Sequence, residues 1–178
     1  MKRMSMKRRQ ILGSALLLPL QGLAQTCGVI TPRQTEGPFF KTDSPQRKNF
    51  LESNSTGQRL VLTGAVLTPD CKPVPNALLD FWHADEAGEY DNRGFRYRGH
   101  QHADAQGRFR LETILPAEYP GRARHIHVKV QAPGKRVLTT QLYFPGDASN
   151  RRDGLYRPEL EMKKGKAEEA SFDFVVEA

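Results

Sequence analysis

The chain has 178 residues, which suits one domain or one domain with a tail. Its 27 Lys and Arg against 20 Asp and Glu give a formal charge of +7, a balance that on its face invites nucleic acid or an anionic membrane. Five of those cations are Lys2, Arg3, Lys7, Arg8 and Arg9, with no acidic residue before Glu36; without them cations exceed acids by only two, which excludes a strongly basic, DNA-binding body.

In chain order, Lys7-Arg8-Arg9-Gln10-Ile11-Leu12 is a charged segment, and Ile11–Leu20 is a mainly apolar run too short to span a bilayer. Gly22-Leu23-Ala24 then supplies small residues at the positions a signal peptidase reads. Residues 1–24 are therefore expected to be an export signal, to the periplasm or outside the cell. The paired arginines resemble a twin-arginine signal, with a general secretory signal as the plainer alternative. Export places Cys27 and Cys71 where disulfides persist, so a Cys27–Cys71 bridge is expected over two free thiols. No later stretch is apolar enough to cross a membrane, and residues 25–178 are expected to form one soluble domain.

Thr31–Phe50 reads as an extended arm wrapping the body. After it come short runs rich in Val, Leu, Thr and Phe: Arg59–Leu67, Ala77–His83, Gly107–Leu115, His125–Gln131, Arg136–Phe144 and Ser171–Val176. Pro69-Asp70, Pro73-Val74-Pro75-Asn76 and Ala132-Pro133-Gly134 read as turns between them. Helical periodicity is weak, with short candidates at Arg157–Met162 and Lys166–Glu169. This pattern predicts an all-β fold: an antiparallel β-sandwich with an N-terminal arm and long loops at Ala84–His102 and Pro116–Arg124.

The sharpest chemical signal is Arg124-His125-Ile126-His127-Val128-Lys129-Val130. Side chains alternate along a strand, so His125 and His127 share one face while Ile126, Val128 and Val130 take the core side. Two imidazoles on one face can bind one metal ion, although exposed strand faces often carry histidine. Tyr90 lies in the first of the long loops and Tyr119 in the second. A loop tyrosine is ordinarily a packed ring with its hydroxyl in water. Two phenolates with two imidazoles nevertheless make a coherent set for ferric iron, because phenolate is a hard anionic donor and the bound cation lowers its pKa from about 10. His100 and His102, another His-x-His, read as exposed or rim residues of a polar loop, and His83 as a packed or hydrogen-bonded strand-end residue.

Five ordered stretches carry a more specific likeness. They are Gln34-Thr35-Glu36-Gly37-Pro38-Phe39-Phe40; Trp82-His83-Ala84-Asp85 through Gly88-Glu89-Tyr90; Tyr119-Pro120; Arg122 through His125-Ile126-His127; and Leu138-Thr139-Thr140-Gln141-Leu142-Tyr143-Phe144. Together they resemble the intradiol ring-cleavage dioxygenases, of the protocatechuate 3,4-dioxygenase and catechol 1,2-dioxygenase type, over most of Thr31 to Asp147. The resemblance implies a non-haem Fe(III) held by Tyr90, Tyr119, His125 and His127, with Tyr119 and His127 axial. It implies that Arg122 sits beside the substrate and stabilises negative charge, and that Gln141 lies behind the site near the oxygen-binding side. Tyr119 would leave the metal as substrate binds and accept a catechol proton. The implied partners are a catechol-type small molecule and O2, cleaved together to a muconate-type diacid.

Unlike the catechol-type members, the chain shows no helical N-terminal dimerisation segment, which favours a protocatechuate-like or small exported branch. Arg33, Arg93, Arg96, Arg98, Arg122 and Arg124 are compatible with a carboxylated catechol, their orientation left open. Two other readings stand beside this one. One is an exported zinc or copper protein using His125 and His127 with His100 and His102; the other is a non-catalytic β-sandwich binding module. Oligomeric state is not legible in the sequence.

Overall fold

The structure, a computed structural model, describes residues 27–178. The export signal expected at residues 1–24 lies outside the described residues. Among the described residues, no helix is long and apolar enough to cross a membrane.

Among the described residues, nine strands form two sheets. In chain order they are β1 (Arg59–Leu67), β2 (Leu78–Trp82), β3 (Arg98–His102), β4 (Arg108–Ile114), β5 (His125–Gln131), β6 (Leu138–Tyr143), β7 (Lys163–Lys164), β8 (Glu169–Ser171) and β9 (Phe174–Val175). One sheet runs β4-β1-β8-β7, with β9 on the far end of β1; the other runs β3-β2-β5-β6. The pairings are antiparallel except that β8 and β9 run parallel to β1. β1 and β4 bury mainly alternate residues, whereas β5 and β6 are buried on both faces. Leu60, Leu62 and Val66 of β1 share their inner face with Phe109 and Leu111 of β4. Across the core they meet Leu79 and Phe81 of β2, Ile126, Val128 and Val130 of β5, and Leu138 and Leu142 of β6. Each such side chain contributes roughly 1.5–3 kcal/mol on burial, which is what holds the two sheets together.

Most predicted strands lie where the pattern put them, and the differences have local causes. Arg98–His102, expected as part of a polar loop, is β3, paired antiparallel with β2. Its inward positions are Gly99 and Gln101, so no apolar alternation announces it. Gly99 is a position of close approach, where a Cβ would come within 2.8 Å of Phe50 and Arg47. Ser171–Val176, expected as one strand, splits into β8 and β9. The split sits opposite Gly64, where the Phe172 carbonyl would lie 1.8 Å from any Cβ. The two helical candidates reduce to a 3-10 turn at Pro158–Leu160, and residues 166–169 carry no helix. A second 3-10 turn, Ala148–Arg152, was not anticipated.

The arm crosses the outer face of the β3-β2-β5-β6 sheet. Gln34 N–H donates to Thr139 O, the Gln141 amide donates to Thr35 O, and Arg98 donates to Phe39 O. The arm then runs beside β3 through Gln46 and His100, and ends with Phe50 in the core. The expected bridge is present: Cys27 and Cys71, 44 residues apart, are disulfide-bonded and staple the start of the arm to the body.

Candidate metal centre

The face of the second sheet turned away from the core carries the predicted chemistry. Strand register places Arg98, Trp82, His127 and Gln141 in one row across four strands, with His125 and Tyr143 paired just beyond. All six side chains are buried, because the arm and the two long loops cover this face.

The imidazoles are the centre of it. His125 Nδ1 lies 2.6 Å from the Ala123 carbonyl, so that nitrogen carries the hydrogen and donates it. Its Nε2 lone pair then faces Tyr90 Oη at 3.2 Å and His127 Nε2 at 3.1 Å. His127 stacks on Trp82 at 4.8 Å and 6°, and its Nδ1 finds no partner among the described residues. With its hydrogen on Nδ1, the His127 Nε2 lone pair faces that of His125 Nε2 at 3.1 Å, an opposition that a shared cation relieves. Burial above all keeps both rings neutral. It pushes His125 down to about 4, against the opposing Ala123 carbonyl, and holds His127 well below the ordinary histidine value, with His125 and Arg122 adding to the effect.

The tyrosines arrive on loops locked to one another. Asp85 Oδ1 accepts from the Ala87 and Glu89 amides, and Ala117 N–H donates to Asp85 O. Gly88, at φ +84°, passes so close to the second loop that a Cβ there would stand 2.3 Å from Glu118 O. Tyr90 and Tyr119 are thereby brought to 6.0 Å between ring centres. Phe39 of the arm stacks on Tyr90 at 4.3 Å and meets Tyr119 edge-on at 5.3 Å. The two differ in their freedom. Tyr90 is buried and hydrogen-bonded to His125, and burial pushes its hydroxyl well above the usual phenol value, against the pull of Arg122 and Arg98. Tyr119 is half-buried, and its hydroxyl makes no hydrogen bond to the described residues.

Arg122 and Gln141, also anticipated, lie in one network: Arg122 Nη2 donates to Gln141 Oε1 and, at 3.2 Å, to the Tyr143 hydroxyl. Tyr143 in turn donates to Gln34 Oε1 at 2.9 Å, and burial holds its hydroxyl up at about 12. Three residues that shape the site carried no sequence signal of their own. Asp153 sits in a polar turn, Tyr143 among strand residues, and Arg98 among other arginines. Arg98 is fully buried, and it donates to Asp91 O and Phe39 O on either side of Tyr90.

The other histidines lie apart. His83 is satisfied at both nitrogens by Ala84 O and Thr113 Oγ1, each at 2.7 Å. His100 hydrogen-bonds Ser44, which also bonds Asp80, and its strand partner is Asp80 rather than Trp82. His102 is exposed. Among the described residues no group of three or more His, Cys, Asp or Glu converges, so the third donor beside the two imidazoles is the Tyr90 oxygen. Most of the arginines named as compatible with a carboxylated catechol have a protein partner, Arg122 keeping one edge without one. Arg33 and Arg98 bond backbone carbonyls, Arg96 pairs with Asp85 and Glu86, Arg122 with Asp153, and Arg124 with Asp147.

These residues fit a ferric ion. Two neutral nitrogens 3.1 Å apart match the separation of ligands each about 2.1 Å from one ion, the hard Tyr90 phenol oxygen stands 3.2 Å from one of them, and the Tyr119 ring lies beside that of Tyr90.

The Dioxygenase family model matches residues 35–177. The dioxygenase domain of a dioxygenase–carbohydrate-binding protein fusion from Streptomyces sp. SirexAA-E is 52% identical, with a TM-score of 0.80, covering 83% of this chain and 98% of that one. The 3-chlorocatechol 1,2-dioxygenase of Rhodococcus opacus 1CP is 27% identical at a TM-score of 0.75, covering 82% and 72%. Catechol 1,2-dioxygenase of Acinetobacter baylyi is 32% identical over 155 residues, 71% of this chain and 50% of that protein. The chain thus spans about half the length of that curated relative. By sequence match, fold and site together, it belongs to the intradiol dioxygenase family.

Proposed function

We propose that this chain is a non-haem ferric intradiol dioxygenase, cleaving a catechol-type ring between its two hydroxyl-bearing carbons with O2 to give a muconate-type diacid. The observation that carries the reading is the buried imidazole pair, with Nε2 atoms 3.1 Å apart and the Tyr90 oxygen 3.2 Å from one of them. Tyr90, Tyr119, His125 and His127 would hold the iron. Bound there, Fe(III) supplies Lewis acidity that draws electron density from a chelated catechol.

The protein's own groups do the rest. The Ala123 carbonyl keeps the His125 lone pair aimed at the ion, and burial keeps both imidazoles unprotonated as ligands must be. Tyr90, wedged between Phe39 and Arg98, would be the fixed oxygen donor to the ion. Tyr119, whose hydroxyl has no hydrogen-bond partner among the described residues, would be the donor able to yield to the substrate and to take one of its hydroxyl protons. Arg122 offers a cation to the negative charge that the substrate and its product carry. Phe39, Trp82 and the arm keep water from the site.

Oxygen uptake with a small panel of catechols tests this reading. The expected result is uptake of one O2 per catechol, with a muconate-type product and dependence on bound iron. Iron-loaded protein that consumes no oxygen with any catechol contradicts it.

A further inference from the structure

Arg122 is gripped from two sides. On one, its Nε donates to both carboxylate oxygens of Asp153, at 3.1 and 3.0 Å. On the other, Nη2 donates to Gln141 and Tyr143. Its Nη1 has no protein acceptor among the described residues, and the side chain is 18% exposed against 1% for that of Asp153. A guanidinium is planar and donates in a fixed fork, so two anchored edges define the direction of the third.

Asp153 is itself anchored. It ends the 3-10 turn Ala148–Arg152, with its N–H donating to Asn150 O. Its side chain also accepts from the Ala123 amide at 2.9 Å and the Leu155 amide at 2.8 Å. The Ala123 peptide reaches further, since its carbonyl is the one that orients His125. One buried carboxylate therefore ties down both Arg122 and the peptide that aims a metal ligand. The other end of the same turn offers a contrast: Asp147 stands 3.5 Å from Arg124, a more exposed pair with no contact to the site residues.

We propose that Asp153 is a positioning residue for ring cleavage, holding the Arg122 guanidinium so that its unpartnered Nη1 edge meets the negative charge of the bound catechol. The inference rests on the function proposed above. A buried, multiply bonded carboxylate that served stability alone would have no reason to act through Arg122, and that difference is measurable.

The test is a double-mutant cycle on the iron-loaded protein, using D153N, R122Q and the double variant, with D147N as the control. The carboxamide introduced by D153N keeps one oxygen for the Ala123 amide and loses the charge together with the second acceptor, which the Leu155 amide uses. D153N is expected to lower kcat about 10- to 100-fold, a range usual for groups that orient catalytic contacts, while iron content and the resting visible band persist. Its spectral change on adding catechol without oxygen should differ from wild type. R122Q should lose at least as much, the double variant should match R122Q within about threefold because the two act as a unit, and D147N should match wild type. A folded, iron-loaded D153N with wild-type turnover overturns the proposal, as does a double variant far below R122Q. Should D153N fail to fold, R122K takes its place: it keeps the cation and loses the fork that Asp153 grips, so a comparable loss of kcat is expected and wild-type turnover in folded, iron-loaded R122K overturns the proposal. Wild-type protein that lacks both iron and oxygen uptake overturns the underlying function instead, and shows it before any variant is made.

Discussion

His83 and His127 are both deeply buried, yet only His83 has a partner at each ring nitrogen. Burial, opposed by the Ala84 carbonyl, pushes His83 down to about 4. An unfolded imidazole takes up its proton near pH 6.5, while the folded one stays neutral until about pH 4. Between those values the unfolded state binds the extra proton. The contribution is therefore complete above pH 6.5 and is lost as the pH falls toward 4, by about 3 kcal/mol in all. Urea unfolding of wild type and H83Q across that range should show a flatter acid slope in the variant; equal slopes would mean that His83 charges freely in the fold. His125 and His127 were legible as a pair because alternate strand positions share a face, whereas Tyr90 and Tyr119 stood out from ordinary loop tyrosines through the family resemblance. Asp153 was not, because an aspartate in Asn150-Arg151-Arg152-Asp153-Gly154 looks like any polar turn until the fold brings Arg122 to it.

At the scale of elements, the two tyrosine loops depend on one close approach. Gly88 has a positive φ and faces Glu118 O at a distance no Cβ can occupy. G88A is expected to cost about 1–3 kcal/mol in strain and to lower iron occupancy more than it lowers strand content. Metal analysis beside circular dichroism checks this, and full iron occupancy in G88A would show that the loops need no such contact. The same scale explains what the sequence could and could not show of the fold. Strand β5 announces itself because Ile126, Val128 and Val130 alternate with polar residues. Strand β3, Arg98-Gly99-His100-Gln101-His102, has nothing apolar to alternate, and its pairing is fixed by β2 and the arm. The break between β8 and β9 follows from Gly64, whose contact with the Phe172 carbonyl is set by tertiary packing.

For the whole molecule, the arm is the part that turns a sandwich into a site, since it covers the His and Tyr face and donates Phe39 and Gln34 to it. Its start is held by the Cys27–Cys71 bridge. Closing that 44-residue loop is worth about 4 kcal/mol in the chain-entropy model. Reduction, or C27S/C71S, should therefore lower the melting temperature, and an unchanged melt would show that the arm is held by its hydrogen bonds alone. The central claim is that Tyr90, Tyr119, His125 and His127 share one ferric ion. The visible absorption spectrum of the purified, metal-replete protein tests it most directly. Phenolate bound to Fe(III) predicts a red-brown protein with a broad visible band that changes in Y119F. A colourless zinc protein, or a band identical in wild type and Y119F, would contradict it.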